Sequence, residues 1–215
     1  MNRRSFLVTV AGSAVGVALA GCTSSDPDPP DELASVEADA DQLPVPAIGS
    51  GTVTVDVYED LGCSACHQFS AQIAPAIEEF LIEPGTITYR HYDFPIPAHS
   101  RSFAMANAAR AVQDERGSDD EAAGAFFGYK QAVFAAGENE WGDDGLAALA
   151  ESVDVDSDVV ATALENDTYY PTIAADWEQG VENDVSATPT VVVDGTHVED
   201  AFDFEEIVSA VEDAQ

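Results

Sequence analysis

Two cysteines in the stretch YEDLGCSACHQF constrain the fold more than any other feature of this chain. Cys63 and Cys66 are separated by two residues, in a sequence that contains only three cysteines. The preceding residues 51–60 alternate apolar and polar side chains, which predicts a half-buried strand. From Cys63 onward apolar side chains recur at spacings of three and four, which predicts a helix with a kink at Pro75. A C-x-x-C pair at such a junction can be a structural disulfide, half of a zinc site, a haem attachment point or a redox-active dithiol.

Two of these four uses are poorly supported by the rest of the sequence. A disulfide that closes so small a loop restricts the unfolded chain little and therefore stabilises little. A zinc site needs about four ligands, commonly from a second pair of Cys or His residues. The chain has no second C-x-x-C, and its other histidines are scattered singly at His91, His99 and His197. We therefore expect no zinc site.

Two cofactor-based alternatives remain open. The residues CSACH match the C-x-x-C-H pattern of c-type haem attachment, with His67 as axial ligand and Met105 as a candidate second ligand. An electron-transfer lipoprotein using Cys63, Cys66 and His67 is thus the main alternative function. A copper carrier would use the same three side chains, because soft thiolates and imidazole suit that metal.

A redox dithiol fits the local pattern best. Cys63 is expected at the helix N-terminus, where unpaired backbone N–H groups and the helix dipole favour an anion. Such a position lowers a thiol pKa, and the thiolate is the attacking nucleophile. Cys66, one turn further along, is expected to be more buried and to act as the resolving thiol. C-x-x-C near a βαβ pattern is typical of thioredoxin-like proteins.

The charge balance is strongly acidic. The chain carries 41 Asp and Glu against 7 Lys and Arg, a net charge of −34, and residues 131–215 contain no Lys or Arg. Self-repulsion on this scale destabilises a compact state unless salt screens it. The composition resembles that of extreme halophiles, with an acidic docking face for a basic partner as the alternative. It argues against nucleic-acid binding.

The N-terminal residues predict export. Residues 1–21 combine Arg3 and Arg4 with a short apolar run, which is typical of an export signal and resembles the twin-arginine class. The residues LAGC resemble a lipobox, which implies that Cys22 becomes the lipid-modified N-terminus outside the cytoplasmic membrane. An uncleaved anchor helix is the alternative. Residues 22–48, rich in Pro, Asp and Ser, are expected to form a mobile tether.

The folded domain is predicted over residues 49–215. GTITYRHYDFP predicts a second strand, residues from about 98 to 182 are mostly helical, and the Asp194–Gly195 pair between apolar runs predicts a hairpin. A closing helix is expected with Asp203 as N-cap. This order predicts an α/β fold in which a helical subdomain is inserted between the second strand and the hairpin.

With these elements placed, the chain resembles DsbA-like thiol:disulfide oxidoreductases of the thioredoxin superfamily over about residues 51–213. The resemblance is carried by VYEDLGCSACHQF, YDFPIPAHS and SATPTVVVDG. It implies that Pro189 is a cis-proline facing the cysteines, with Thr188 against the sulfurs. It further implies a monomer without metal or organic cofactor that exchanges disulfides with exported proteins and is reset by a redox partner.

Two features depart from that family's pattern. Ser64 and Ala65 replace the Pro-containing pair that often lies between the cysteines, and Val57 occupies the place of a buried acidic residue used in proton transfer. Glu59 and Asp60 are the nearby candidates for that role. Solvated surface acids are the favoured interpretation of both residues.

Overall fold

The computed structural model of the chain describes residues 28–117 and 120–215. The export signal with Arg3 and Arg4, and the lipidation candidate Cys22, lie outside the described residues. Five strands form one sheet in the order β1-β3-β2-β4-β5. The strands are β1 (Ala47–Gly49), β2 (Val53–Glu59), β3 (Ile87–Asp93), β4 (Thr190–Val193) and β5 (Thr196–His197).

The strand before the cysteines is the centre of this sheet. β2 runs parallel to β3, with Val57 opposite His91, and antiparallel to β4, with Val57 opposite Val191. The valines of β2 pack into one core, as expected, but Tyr58 on the opposite face is also completely buried. The expectation of a half-buried strand is wrong, because helices cover both faces of the sheet.

Eight α-helices accompany the sheet in the described part of the chain. They are α1 (Ser64–Gln72), α2 (Ala74–Ile77), α3 (Ser102–Arg116), α4 (Asp120–Ala135), α5 (Asp143–Leu149), α6 (Ser157–Asn166), α7 (Tyr170–Glu182) and α8 (Phe204–Asp213). The predicted interruption near Pro75 is present, since α1 ends at Gln72 and Pro75 lies in the first turn of α2. Proline is tolerated there because first-turn N–H groups have no helical partner. A π-helical turn, Glu78–Ile82, follows α2.

The predicted helical insertion is confirmed. Helices α3 to α7 lie between β3 and β4, and α3 to α6 enclose a hydrophobic core of their own around Met105, Phe126, Tyr129 and Leu146. Helix α7 instead packs against the sheet through Ile173 and Trp177. The insertion therefore forms a subdomain beside the sheet and a cover over one of its faces.

The start of the described chain differs from the prediction. Residues 30–46, here called the N-terminal strap, pack on the domain and bury Leu33 and Leu43. The Gln42 side chain donates to the Thr168 carbonyl at 2.9 Å and accepts from the Thr172 hydroxyl at 2.7 Å. The strap continues into β1, which pairs antiparallel with β3. The tether prediction is wrong from residue 30 onward, because sparse apolar residues in an acidic segment find hydrophobic partners on the folded domain.

The C-terminal elements agree with the sequence. Asp194 and Gly195 take positive φ angles of 44° and 82° between β4 and β5, which is the geometry that an Asp-Gly hairpin turn requires. Asp203 caps α8, and its carboxylate accepts the Glu205 and Glu206 amides at 3.0 and 3.2 Å. No helix in the ranges 28–117 and 120–215 has the length and apolar character to cross a membrane.

Candidate active site

The two cysteines lie where β2 passes into α1. A turn of residues 60–62 leads to Cys63, which is the N-cap of the helix, and the Cys63 amide donates to the Asp60 carbonyl at 2.9 Å. Cys63 is 9% exposed and Cys66 is completely buried, and both are free thiols. Cys66 is the more buried of the two, as expected, but Cys63 is also largely buried and exposes only a small part of its surface.

Cys63 is set up as a thiolate. Its pKa is lowered from 9.0 to about 5, chiefly by a hydrogen bond from the Cys66 thiol, against the opposing effect of burial. The backbone amides of Cys66 and Ala65 contribute further. These amides are first-turn helical donors without intrahelical partners, so the helix N-terminus stabilises the anion.

Cys66 has the opposite character. Burial raises the pKa of the Cys66 thiol far above its ordinary value, and the hydrogen bond to Cys63 and the charge of Glu59 raise it further. Cys66 is therefore a thiol beside a Cys63 thiolate. This pairing of an accessible anion with a buried proton-bearing partner is what stepwise disulfide exchange needs.

A cis-proline loop lies against the accessible cysteine. The Thr188–Pro189 peptide bond is cis, as the resemblance implies. The Cys63 thiol contacts the Thr188 carbonyl, with Sγ and O 3.7 Å apart. Thr188 is buried and Pro189 is half-buried immediately before β4. The structure therefore brings Thr188 against the sulfur, as expected.

Glu59 lies in a buried row of alternating charges, and its interpretation as a solvated acid is wrong. Lys130 of α4 donates to Glu59 Oε2, and His91 Nδ1 lies 3.1 Å from the same oxygen. His91 Nε2 lies 3.2 Å from Asp93 Oδ1, and Arg110 Nε donates to Asp93 Oδ2 at 2.7 Å. We call this set the charge row, which consists of Lys130, Glu59, His91, Asp93, Arg110 and Asp176.

The charge row determines the state of Glu59. Burial by itself would raise the pKa of Glu59, but Lys130 and His91 outweigh it and hold the pKa below its usual value. Glu59 Oε1 has no hydrogen-bond partner within the described part of the chain. Both ring nitrogens of His91 lie within hydrogen-bond distance of carboxylate oxygens, one of Glu59 and one of Asp93.

Asp60 is also buried, which contradicts the surface interpretation, but its surroundings differ. Its carboxylate accepts backbone N–H groups from Gly62, Ile96 and Ala98. Among residues 28–117 and 120–215 it forms no ion pair. Of the two proton-transfer candidates, Glu59 acts electrostatically on Cys66, whereas Asp60 holds loops together.

The His67 side chain, on which the haem alternative depends, is half-buried and packs against aromatic rings. Its Nε2 donates to the Leu61 carbonyl at 2.8 Å, and its ring lies 4.4 Å from that of Phe134, between centroids. Met105 is completely buried in the core of the helical subdomain. The nitrogen that a haem iron would use is therefore taken by a backbone carbonyl, and the haem alternative is not favoured.

Sequence reasoning missed the other members of the charge row. Lys130, His91 and Arg110 are far apart in the sequence and meet only because α3 and α4 pack beside β3. One signal was available, since Lys130 is the last basic residue of an acidic chain and stands within the apolar run FFGYKQAVF. A lone cation in such a run suggests a buried partner of opposite charge.

A dithiol at a helix N-terminus facing a cis-proline, on a mixed sheet with a helical insertion, defines a thioredoxin-like protein. The family described as Thioredoxin matches residues 47–213, and the chain belongs to it. Disulfide bond formation protein D of Bacillus subtilis (strain 168) is 24% identical over 174 residues, which cover 79% of this chain and 75% of that protein.

Solved structures share the fold. The oxidised BdbD of Bacillus subtilis superposes with a TM-score of 0.70 at 20% identity, covering 83% of this chain and 95% of that one. The DsbA of Chlamydia trachomatis gives a TM-score of 0.69 at 20% identity, with 82% and 93% covered. The expected thioredoxin-like fold with a helical insertion is confirmed.

Proposed function

We propose that this protein is an extracytoplasmic thiol:disulfide oxidoreductase that exchanges disulfides with exported proteins through Cys63 and Cys66. The observation that carries the proposal is the pair of opposed thiols, one a low-pKa helix N-cap beside Thr188 and the other fully buried. The names of a relative and of structural neighbours, which concern disulfide formation and DsbA, support it.

Disulfide donation is the direction that the thiol environment favours. A substrate thiolate attacks Cys63 of the Cys63–Cys66 disulfide, and Cys66 departs and takes up a proton. A second substrate thiolate then attacks the substrate sulfur of the mixed disulfide, forming the substrate disulfide and releasing Cys63 as thiolate. Two substrate thiols are oxidised and the enzyme disulfide is reduced. Stabilising the Cys63 thiolate favours the reduced enzyme and makes the disulfide a stronger oxidant.

Glu59 is the residue that we propose for exchanging the proton of Cys66. Its charge acts on Cys66, and one of its carboxylate oxygens is buried without a partner in the described residues. Lys130 and His91 keep the carboxyl ionised, which leaves it free to accept a proton but also makes it a weaker base. When Cys66 attacks a mixed disulfide, its proton passes to Glu59, and the reverse occurs when Cys66 departs.

The cellular setting is proposed from the N-terminal sequence. Arg3 and Arg4 support twin-arginine export, and Cys22 supports a lipid anchor on the outer face of the cytoplasmic membrane. Since the N-terminal strap packs on the domain, only residues 22–29 remain as tether, a span of at most about 30 Å. The net charge of −34 supports a halophilic source and a monomer that binds no nucleic acid.

Trapping of mixed disulfides tests the exchange function. Cys66→Ser is expected to accumulate covalent complexes with exported proteins, because Cys63 still attacks and nothing resolves the product. Cys63→Ser is the matched control and should trap none. The function is refuted if Cys66→Ser traps nothing from membrane extracts and the wild-type dithiol shows no reversible couple in glutathione buffers.

A further inference from the structure

Asp60 has an environment that proton transfer does not explain. Its side chain is buried, with the whole residue 1% exposed. Oδ1 accepts the Gly62 amide at 2.7 Å, and Oδ2 accepts the Ile96 and Ala98 amides at 3.0 and 3.1 Å. A buried carboxylate is costly unless strong hydrogen bonds compensate, and three N–H donors provide them.

The three donors come from two separate segments. Gly62 belongs to the turn that leads into Cys63, and the other two amides belong to the segment FPIPA after β3. Because residues 95 and 97 are prolines, the amides of Ile96 and Ala98 are the only backbone donors that residues 95–98 possess. Both are directed at a single carboxylate oxygen, although the two residues are exposed.

The turn also lies close to the residues that follow this segment. A Cβ atom added at Gly62 would lie 2.6 Å from the Ser102 hydroxyl and 2.7 Å from His99 Cβ. The absence of a side chain at position 62 therefore allows His99 and Ser102, which follow the segment, to lie against the backbone of the turn. The next residue is Cys63, whose amide donates to the Asp60 carbonyl. The backbone carbonyl and the carboxylate of Asp60 therefore each accept an N–H group of the turn.

We propose that Asp60 is a positioning residue, which clamps the Cys63 turn to residues 95–98 and so keeps the first-turn amides of α1 directed at the Cys63 sulfur. The inference rests on the proposed exchange function and assigns to Asp60 the positioning of that function's active-site turn. In this role the Asp60 carboxylate contacts neither sulfur, and its partners are backbone amides. Its effect reaches Cys63 through the backbone, since the amides of Ala65 and Cys66 stabilise the thiolate only while the helix start is fixed.

Two substitutions distinguish a positioning role of Asp60 from a purely electrostatic effect of its charge. Asp60→Asn keeps the shape of the side chain but places an amide NH₂ opposite a backbone N–H donor. It also removes a negative charge, and that loss by itself would make the Cys63 thiolate more stable. Ala98→Pro removes one clamp donor on the exposed side and leaves the Asp60 charge in place. Asp194→Asn is the control, because that carboxylate accepts an amide and a hydroxyl from Thr54 at the far end of β2.

The readout is the pH midpoint of thiolate absorbance in the reduced protein, with the glutathione equilibrium constant and the melting temperature measured beside it. We expect Asp60→Asn to raise the midpoint by about one pH unit and Ala98→Pro to raise it less. The disulfide of Asp60→Asn should become about tenfold less oxidising, about 30 mV. Asp194→Asn should leave the midpoint unchanged.

Two outcomes overturn the inference. In one, the midpoint falls in Asp60→Asn and stays fixed in Ala98→Pro, so that Asp60 acts only as a charge. In the other, both midpoints stay fixed while only the melting temperatures fall. If Asp60→Asn does not fold, Ala98→Pro decides alone. The thiolate titration does not require the protein to exchange disulfides, so it tests the role of Asp60 separately from the proposed function. A wild-type protein that exchanges no disulfides would refute the proposed function instead.

Discussion

Replacing Lys130 with methionine removes the cation from a buried ion pair and keeps most of the side-chain volume. The Lys130 side chain is 4% exposed, and that of its partner Glu59 is completely buried. Removing one partner of such a pair costs about 3–5 kcal/mol, because the remaining charge stays buried and uncompensated. Since His91 continues to contact Glu59, we expect about 3 kcal/mol, a large part of a total stability of about 5–15 kcal/mol.

The pH dependence of this loss has a definite sign. In the wild type the pKa of Glu59 is held below its ordinary value of 4.5, so its contribution is complete above that pH and is lost as pH falls through the folded pKa. In Lys130→Met, burial is no longer opposed by the Lys130 charge and the pKa of Glu59 rises. The stability difference between the two proteins should therefore be largest at neutral pH and narrow on acidification.

Urea unfolding of the reduced domain at molar salt measures the loss. Arg116→Met is the control, since it removes the same charge from an exposed position at the end of α3 and should cost less than about 1 kcal/mol. The double variant Glu59→Gln with Lys130→Met should recover part of the loss, because no unpaired charge remains. A loss below about 1 kcal/mol for Lys130→Met, or one equal to that of Arg116→Met, would refute the buried-pair reasoning.

Three further predictions concern the thiol, the strap and the surface charge. Relative to Cys63→Ser, the reduced wild-type protein should lose stability as pH falls from about 9 to about 5, because the pKa of Cys63 is lower in the folded than in the unfolded state. Urea unfolding midpoints measured for both proteins across this pH range check the prediction. A constant difference between the two sets of midpoints would contradict it. A chain beginning at residue 47, which keeps β1, should be less stable than one beginning at residue 28 by about 3–6 kcal/mol, because the burial of Leu33 and Leu43 is lost. Equal urea unfolding midpoints would show that the N-terminal strap contributes nothing. The free energy of unfolding should rise steeply between about 0.1 M and 1 M KCl, because the Debye screening length falls from about 10 Å to about 3 Å. A urea unfolding midpoint that does not change with salt would count against the halophilic interpretation.

Local patterns predicted those parts of the fold whose signals are contiguous in the chain. The structure contains a strand before Cys63, a helix after it, the Asp194–Gly195 turn and the Asp203 cap. The N-terminal strap differs from the predicted tether because its apolar residues have no periodicity, and only the surface of the folded domain provides their partners. Short segments of this kind take their conformation from tertiary packing and not from propensity.

The sequence by itself determined where the chemistry lies, because a C-x-x-C at a strand-to-helix junction places one thiol at a helix N-terminus and the other one turn inside. Only the tertiary structure decided what surrounds those thiols. Glu59 and Asp60 are adjacent acids that no pattern separates, yet Glu59 meets Lys130 across 71 residues and Asp60 meets two amides about 36 residues away. The physical reason is that the ionisation and role of a buried carboxylate depend on the donors and cations brought to it in space, and those come from elements distant in the chain.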